Sequence, residues 1–187
     1  MPSSAALRDD SPWIQGDLTF RRGALEAVEA DAVARYLRDE EACGYLAGPS
    51  DDGPLCDSHV ALENVANKLH ALDPEAYFRT ARTFFAFNEK RFSDAVDAGR
   101  AAGRPVKVLY HSHLDAGAYM SPTDQAVLSM GEPPAEEGAA GRLGPGPAWP
   151  LAFLVTSVCE GRIAQHGLFV WDDVGRSFVP STFHVVP

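Results

Sequence analysis

The residues best suited to chemistry in this chain fall in one short stretch. His111-Ser112-His113 is followed, after seven residues, by Ser121 and, after two more, by Asp124. The histidines close the apolar run Val106-Lys107-Val108-Leu109-Tyr110, which reads as a strand. Alternate residues of a strand share a face, so His111 and His113 can reach one ion together while Ser112 points away. Ser121-Pro122-Thr123-Asp124 reads as a helix start, with Ser121 at the N-cap, Pro122 at the first helical position and Asp124 in the first turn. An aspartate placed there and aimed back at the strand end supplies a third ligand. Two imidazoles, one carboxylate and a water fill the four positions of a catalytic zinc, and a pair of imidazoles disfavours harder, oxygen-preferring ions.

The pattern His-Ser-His, seven residues, Ser, two residues, Asp resembles the motif of the JAMM (MPN-type) metallopeptidases. That family also has an upstream glutamate in a block Glu-x-x-Gly/Ala-x-Leu-x-Gly, which Glu41-Ala42-Cys43-Gly44-Tyr45-Leu46-Ala47-Gly48 matches. Glu40 adjoins it, but the match to Gly44, Leu46 and Gly48 selects Glu41. The resemblance runs from about Leu25 to the C-terminus. It implies a mixed α/β sheet flanked by helices, of the cytidine-deaminase-like JAMM architecture, with one zinc per chain on His111, His113 and Asp124. It implies Glu41 as general acid/base and Ser121 as hydrogen-bond donor to the oxyanion. The chain departs from the family's usual pattern at Leu114, where proline commonly follows the second histidine, and in the small-residue loop Asp115–Met120. Neither departure removes a ligand.

The elements that must position these residues can be read along the chain. Residues 1–16 are polar and suggest a loose arm, leaving 17–187 as a single catalytic domain. Leu18–Arg22 reads as a short strand, and Leu25, Val28, Ala32, Val33 and Tyr36 recur at helical spacing over 23–37. Residues 41–48 and 58–64 read as strands, and 80–102 as one long helix with Phe84, Phe85, Phe87, Phe92 and Val96 toward the core. A short helix follows from Asp124 to Met130. Residues 131–148, rich in Gly, Pro, Ala and Glu, read as a mobile loop. Insertions near this place in the resembled family help hold a ubiquitin-fold substrate; a plain surface linker is the other reading. Leu151–Val158 is apolar enough for a sheet centre, and 162–171 with 176–179 form a closing antiparallel pair.

Composition bounds the rest. A chain of 187 residues makes one domain with a sizeable core, and its hydrophobic content of 45% is ordinary for a globular protein. A net charge of −10 disfavours nucleic acid and anionic membranes as partners. No run approaches the roughly 18–20 apolar residues of a membrane span, and the first ten residues lack the apolar core of a secretion signal, so a cytoplasmic location is expected. Lysine is confined to Lys68, Lys90 and Lys107, in keeping with a high-GC bacterial source. Cys43, Cys56 and Cys159 make no disulfide framework. Cys43 shares a strand face with Glu41 and reads either as a buried apolar residue or as a pocket-lining thiol.

The resemblance implies hydrolysis of the bond after the C-terminal Gly-Gly of a ubiquitin-like or sulfur-carrier protein. An adenylating enzyme of the ubiquitin-activating class belongs to such a pathway. The leaving group is open between lysine, cysteine and a peptide extension. An extended tail is expected to pair with the strand edge beside His113. Two other readings stand beside this one: a non-catalytic MPN-type binding scaffold, and a zinc hydrolase of a small amide.

Overall fold

The structure is a computed structural model and describes residues 10–136 and 138–187. The described strands are β1 (Leu18–Arg21), β2 (Cys43–Ala47), β3 (Leu55–Cys56), β4 (Ser58–Leu62), β5 (Val106–Leu114), β6 (Ala152–Cys159), β7 (Arg162–Asp172), β8 (Ser177–Ser181) and β9 (Phe183–Val186). The helices are α1 (Arg22–Tyr36), α2 (Ala66–Leu72), α3 (Glu89–Ala101) and α4 (Pro122–Leu128). Six strands make one sheet in the order β4-β2-β5-β6-β7-β8, and β3-β1-β9 make a small second sheet. Only β5 and β6 pair in parallel in the larger sheet; its other neighbours are antiparallel. The architecture is the expected mixed α/β sheet flanked by helices.

β5 and β6 are buried along almost their whole length, as strands covered on both faces must be. On one face Val28 of α1 joins Leu46, Val108, Tyr110 and Leu154. On the other, Phe92 and Val96 of α3 join Leu109, Phe153 and Val155. The period of two puts His111 and His113 on the α3 face with Leu109, and Tyr110 and Ser112 on the opposite one. Gly44 is where β2 passes Tyr110: an added Cβ would stand 2.5 Å from the Tyr110 hydroxyl, so the glycine of the upstream block meets a packing need.

The arm and the long helix differ from expectation. The arm over 1–16 lies partly outside the described residues, at 1–9. From Ser11 on it is packed, because Pro12–Gln15 form a 3₁₀ turn that buries Trp13 and lets its indole N–H reach the Pro150 carbonyl at 2.7 Å. The long helix over 80–102 is only α3, starting after Asn88, whose side chain caps the Arg91 N–H. Residues 80–88 spend their backbone hydrogen bonds elsewhere: Ala81 O accepts from Glu41 N–H, and Ala86 O from Val65 N–H. In the 131–148 segment Glu132 and Arg142 pair as an antiparallel bridge. β3 and β9 also went unanticipated; each is short and pairs in parallel with β1. No helix among the described residues is long and apolar enough to cross a membrane.

Candidate metal centre

Strand β5 delivers the two histidines and α4 delivers the aspartate. Parallel pairing with β6 continues through Leu114, so His113 is still held in a ladder, opposite Ser157. Its Nδ1 lies 2.8 Å from the Gly117 carbonyl oxygen. A carbonyl can only accept, so Nδ1 carries a proton and Nε2 is the ring nitrogen left to bind an ion; burial acts downward on His113, but its contact with Asp124 outweighs this and raises its pKa. Such a bond to the second ring nitrogen is how metal-binding histidines are oriented. His111, 1% exposed, is packed against the Phe85 ring with centroids 4.5 Å apart and planes 19° from parallel.

Three ligand atoms converge. His111 Nε2 and His113 Nε2 are 3.2 Å apart, and Asp124 Oδ2 lies 3.4 Å from the first and 3.3 Å from the second. Zinc ligands sit about 2.0–2.1 Å from the ion, so a regular tetrahedron places neighbouring ligand atoms about 3.3–3.4 Å apart. The triangle therefore has the edge lengths of one face of a tetrahedral zinc site, and the donor set of two imidazoles and a carboxylate suits that ion. Among the described residues this is the one group of three or more His, Cys, Asp or Glu side chains with convergent ligand atoms.

The cluster opens into a cleft of about 490 Å³ walled by Glu41, Arg82, His113, Tyr119, Ser121 and Asp124, among others. Pro134, Gly138 and Ala139 of the 131–148 segment also border it. All five motif residues are thus gathered at one place. Glu41 is 5% exposed, whereas Glu40 turns away to Arg35 at 3.0 Å, so the structure distinguishes the two neighbours. Ser121 caps α4 as expected, accepting from Asp124 N–H at 3.1 Å.

The two carboxyls of the cleft are tuned in opposite directions. Burial drives Glu41 well above the ordinary carboxylate range, and the Asp124 charge adds to the effect. Burial also acts upward on Asp124, but His111 and His113 outweigh it and hold this carboxyl low. Burial lowers His111 and favours its neutral form. Asp124 is therefore the charged ligand, and Glu41 is suited to hold a proton and release it.

Beside His113 one edge of β5 is taken up and the other only in part. β5 is flanked by β6 through Leu114 and by β2 as far as His111, and beyond that Ser112 N–H donates to the Ala42 carbonyl. The cleft lining also includes Leu114 of β5 and, from the flanking segments, Phe78, Thr80, Thr83 and Ala116. Asp115 is tied to Tyr36 Oη at 2.9 Å and faces Arg82 at 3.5 Å. Tyr119, half exposed, meets the His113 ring edge to face at 5.2 Å. Cys43 is fully buried and its thiol is pushed up to about 12 by burial, which makes it a neutral, apolar neighbour. His59 and His166 are bonded to Tyr110 and Thr156, His70 to the Tyr77 carbonyl, and His184 is exposed near Asp17.

Two contributors escaped the sequence reading. Ser112 points away from the histidines as expected, yet its Oγ accepts from Ala42 N–H at 2.7 Å and so fastens the residue next to Glu41. Its place between the histidines was the available signal. Phe85 gave none, because it sat in a stripe of aromatics that read as helix core.

The family model described as prokaryotic homologs of the JAB domain matches residues 25–160. Among solved structures, the chain is similar to a protein from Desulfitobacterium hafniense, with 18% identity, TM-score 0.60 and 90% and 92% of the two chains covered. It is similar also to one from Salinibacter ruber, with 18% identity, TM-score 0.55 and the same coverage. A JAB1/MPN domain protein from Archaeoglobus fulgidus aligns with 14% identity and TM-score 0.45, over 91% and 98% of the chains. At these identities the likeness of the first two is one of fold. No curated protein matches the chain.

Proposed function

The chain belongs to the prokaryotic homologs of the JAB domain, and from that premise we propose that it is a zinc-dependent peptidase or isopeptidase. Its proposed substrate is the bond after the C-terminal Gly-Gly of a ubiquitin-like or sulfur-carrier protein. The observation that carries the zinc assignment is the triangle of His111 Nε2, His113 Nε2 and Asp124 Oδ2, with edges of 3.2–3.4 Å, opening into the cleft that Glu41 and Ser121 line.

A zinc ion held there would lower the pKa of a water to about 7 and polarise the scissile carbonyl. The chain's own residues supply the remainder. His111, His113 and Asp124 hold the ion, the Gly117 carbonyl fixing the His113 tautomer. Glu41, whose burial raises its proton affinity, takes a proton from the attacking water and passes it to the departing nitrogen. Ser121 accepts a hydrogen bond from Asp124 N–H through its oxygen, which leaves its O–H to donate to the carbonyl oxygen as negative charge develops there. In this reading the cleft lined by Phe78, Arg82, Ala116 and Tyr119 takes the extended tail, whose two glycines carry no side chains to accommodate.

The test is zinc content and cleavage in one set of proteins. Wild type should carry about one zinc per chain and release the reporter from a Gly-Gly-aminocoumarin peptide. His113→Ala should lose the zinc, and Glu41→Gln should keep zinc while losing turnover. A wild type that neither retains nor takes up zinc would overturn the proposal and leave a binding scaffold. Zinc binding with turnover of a small acyl amide but none of Gly-Gly-tailed proteins would reassign the substrate.

A further inference from the structure

Glu41 and Ala42 precede β2, which begins at Cys43, so regular strand pairing does not hold the proposed acid/base. Four hydrogen bonds from separate parts of the chain hold it instead. Glu41 N–H donates to the Ala81 carbonyl at 2.6 Å, and Ala42 O accepts from Ser112 N–H at 2.9 Å. Ala42 N–H donates to Ser112 Oγ at 2.7 Å, and the Glu41 carbonyl accepts from Asn64 Nδ2 at 3.0 Å.

Asn64 does more than meet one carbonyl. It is 6% exposed, and every hydrogen-bonding position of its amide is used. Nδ2 donates to Glu41 O and to Phe84 O, each at 3.0 Å. Oδ1 accepts from Ala66 N–H at 3.0 Å and from Ala86 N–H at 3.2 Å. Two carbonyls on one side and two N–H groups on the other also fix which way the amide faces. Phe84 and Ala86 flank Phe85, the ring that stacks on His111. One buried side chain thus joins the backbone of Glu41 to the backbone on both sides of the ring packed against a metal-ligand candidate.

We infer that Asn64 is a positioning residue for this hydrolysis, setting Glu41 and the Phe85–His111 stack as one unit. The inference rests on the zinc-peptidase reading for its catalytic meaning, while the coupling of the two segments stands on the hydrogen bonds alone. Only a carboxamide of this reach fits. A carboxylate at this position turns oxygens toward two carbonyls, and an aliphatic residue leaves four buried or half-buried backbone groups short of this partner.

The test uses the full chain loaded with zinc and the Gly-Gly-aminocoumarin peptide. Asn64→Asp should lower kcat about 10–100-fold, the usual range for groups that orient metal-site residues, with KM within about twofold and zinc retained. Combined with Glu41→Gln it should add little to the loss from Glu41→Gln alone, because both act through one carboxylate. In metal-free protein, amide exchange should accelerate together in peptides covering 40–44 and 82–88, with β6 unchanged. If Asn64→Asp does not fold, Asn64→Ser, which keeps a shorter hydroxyl, is measured in the same way. Wild-type kcat with unchanged exchange would overturn the inference, as would losses that multiply in the double variant. If wild type shows no Glu41-dependent cleavage, the hydrolase reading fails, and the exchange comparison alone decides whether Asn64 couples the two segments.

Discussion

Ser121 and Asp124 cap the start of α4 reciprocally: Ser121 Oγ accepts from Asp124 N–H at 3.1 Å, and Asp124 Oδ2 accepts from Ser121 N–H at 2.8 Å. The bonds that begin the helix are also the bonds that aim the third ligand and orient the serine hydroxyl. Capping and catalysis can be separated by substitution. Glycine at an N-cap costs helix stability only a few tenths of a kcal/mol, but it has no hydroxyl to donate. Ser121→Gly is expected to melt close to wild type while kcat falls about 10²–10³-fold, the loss typical of an oxyanion donor. Ser121→Thr should keep both properties. A kcat within threefold of wild type in the glycine variant would remove Ser121 from the chemistry.

Removing the ion should leave the fold standing. Two candidate ligands sit on a strand paired with β2 as far as His111 and with β6 through Leu114, and the third sits in a helix that caps itself, so their convergence is preformed by the chain. Chelated protein is expected to keep its far-ultraviolet circular dichroism and lose only the stability that binding adds. That addition is about 2.7 kcal/mol when free zinc is a hundred times its Kd. Thermal melts over a series of buffered zinc concentrations measure it, and outright unfolding on chelation would contradict a preformed site.

The convergence of the candidate metal ligands was legible because each placement depends on a local rule: the i, i+2 pairing of His111 and His113 on a strand, and the Ser-Pro-x-Asp helix start. The same local reading failed at 80–88. Phe84, Phe85 and Phe87 continue the apolar pattern of α3 backwards, but Asn88 stops the helix with a cap, and Asn64 and Glu41 claim the backbone groups that helical bonds would have used. These partners are 20 or more residues away in sequence, beyond any periodicity. Glu41 was reached through the upstream block rather than through spacing, for the same reason. The parallel pairing of β6 with β5 as far as Leu114 was equally out of reach of local patterns, because β6 lies on the far side of the 131–148 segment.

His59 offers a test of pH dependence away from the metal centre. Its Nε2 lies 2.7 Å from Tyr110 Oη, which itself donates to Asp31 Oδ2 at 2.7 Å. Asp31 favours the charged ring, but burial is the larger effect, and the pKa falls below its ordinary value of 6.5. Below about pH 6.5 the unfolded chain therefore takes up a proton that the folded one refuses. Stability is lost as pH falls from there toward the folded pKa. His59→Gln keeps an N–H donor and cannot titrate. Urea titrations at pH 7.5 and 5.5 should show wild type losing ground to this variant at the lower pH. Parallel behaviour of the two proteins would refute the burial effect.

Lys107 breaks the apolar run that leads to His111, and the fold explains how a fully buried ammonium is tolerated there. Its Nζ donates to the carbonyls of Pro49, Asp52 and Leu55 at 2.8, 2.6 and 2.8 Å. Its charge also lies 5.6 Å from the centre of the Trp13 ring. Three carbonyls from one loop converge on the amine, so Lys107 closes that loop over the end of the sheet and sets up Leu55–Cys56 to pair with β1. Burial lowers the lysine pKa, yet three acceptors compensate the ion in a way that an apolar residue cannot for the carbonyls it would leave behind. Lys107→Met fills similar space and withdraws all three donors, with an expected loss of roughly 1–3 kcal/mol in unfolding free energy. Zinc content should be unchanged, because the lysine sits near the start of β5, four residues before His111 and six before His113. Urea denaturation together with metal analysis of the same preparation checks both halves. A variant as stable as wild type would mean that the loop carbonyls find water once the ammonium is gone.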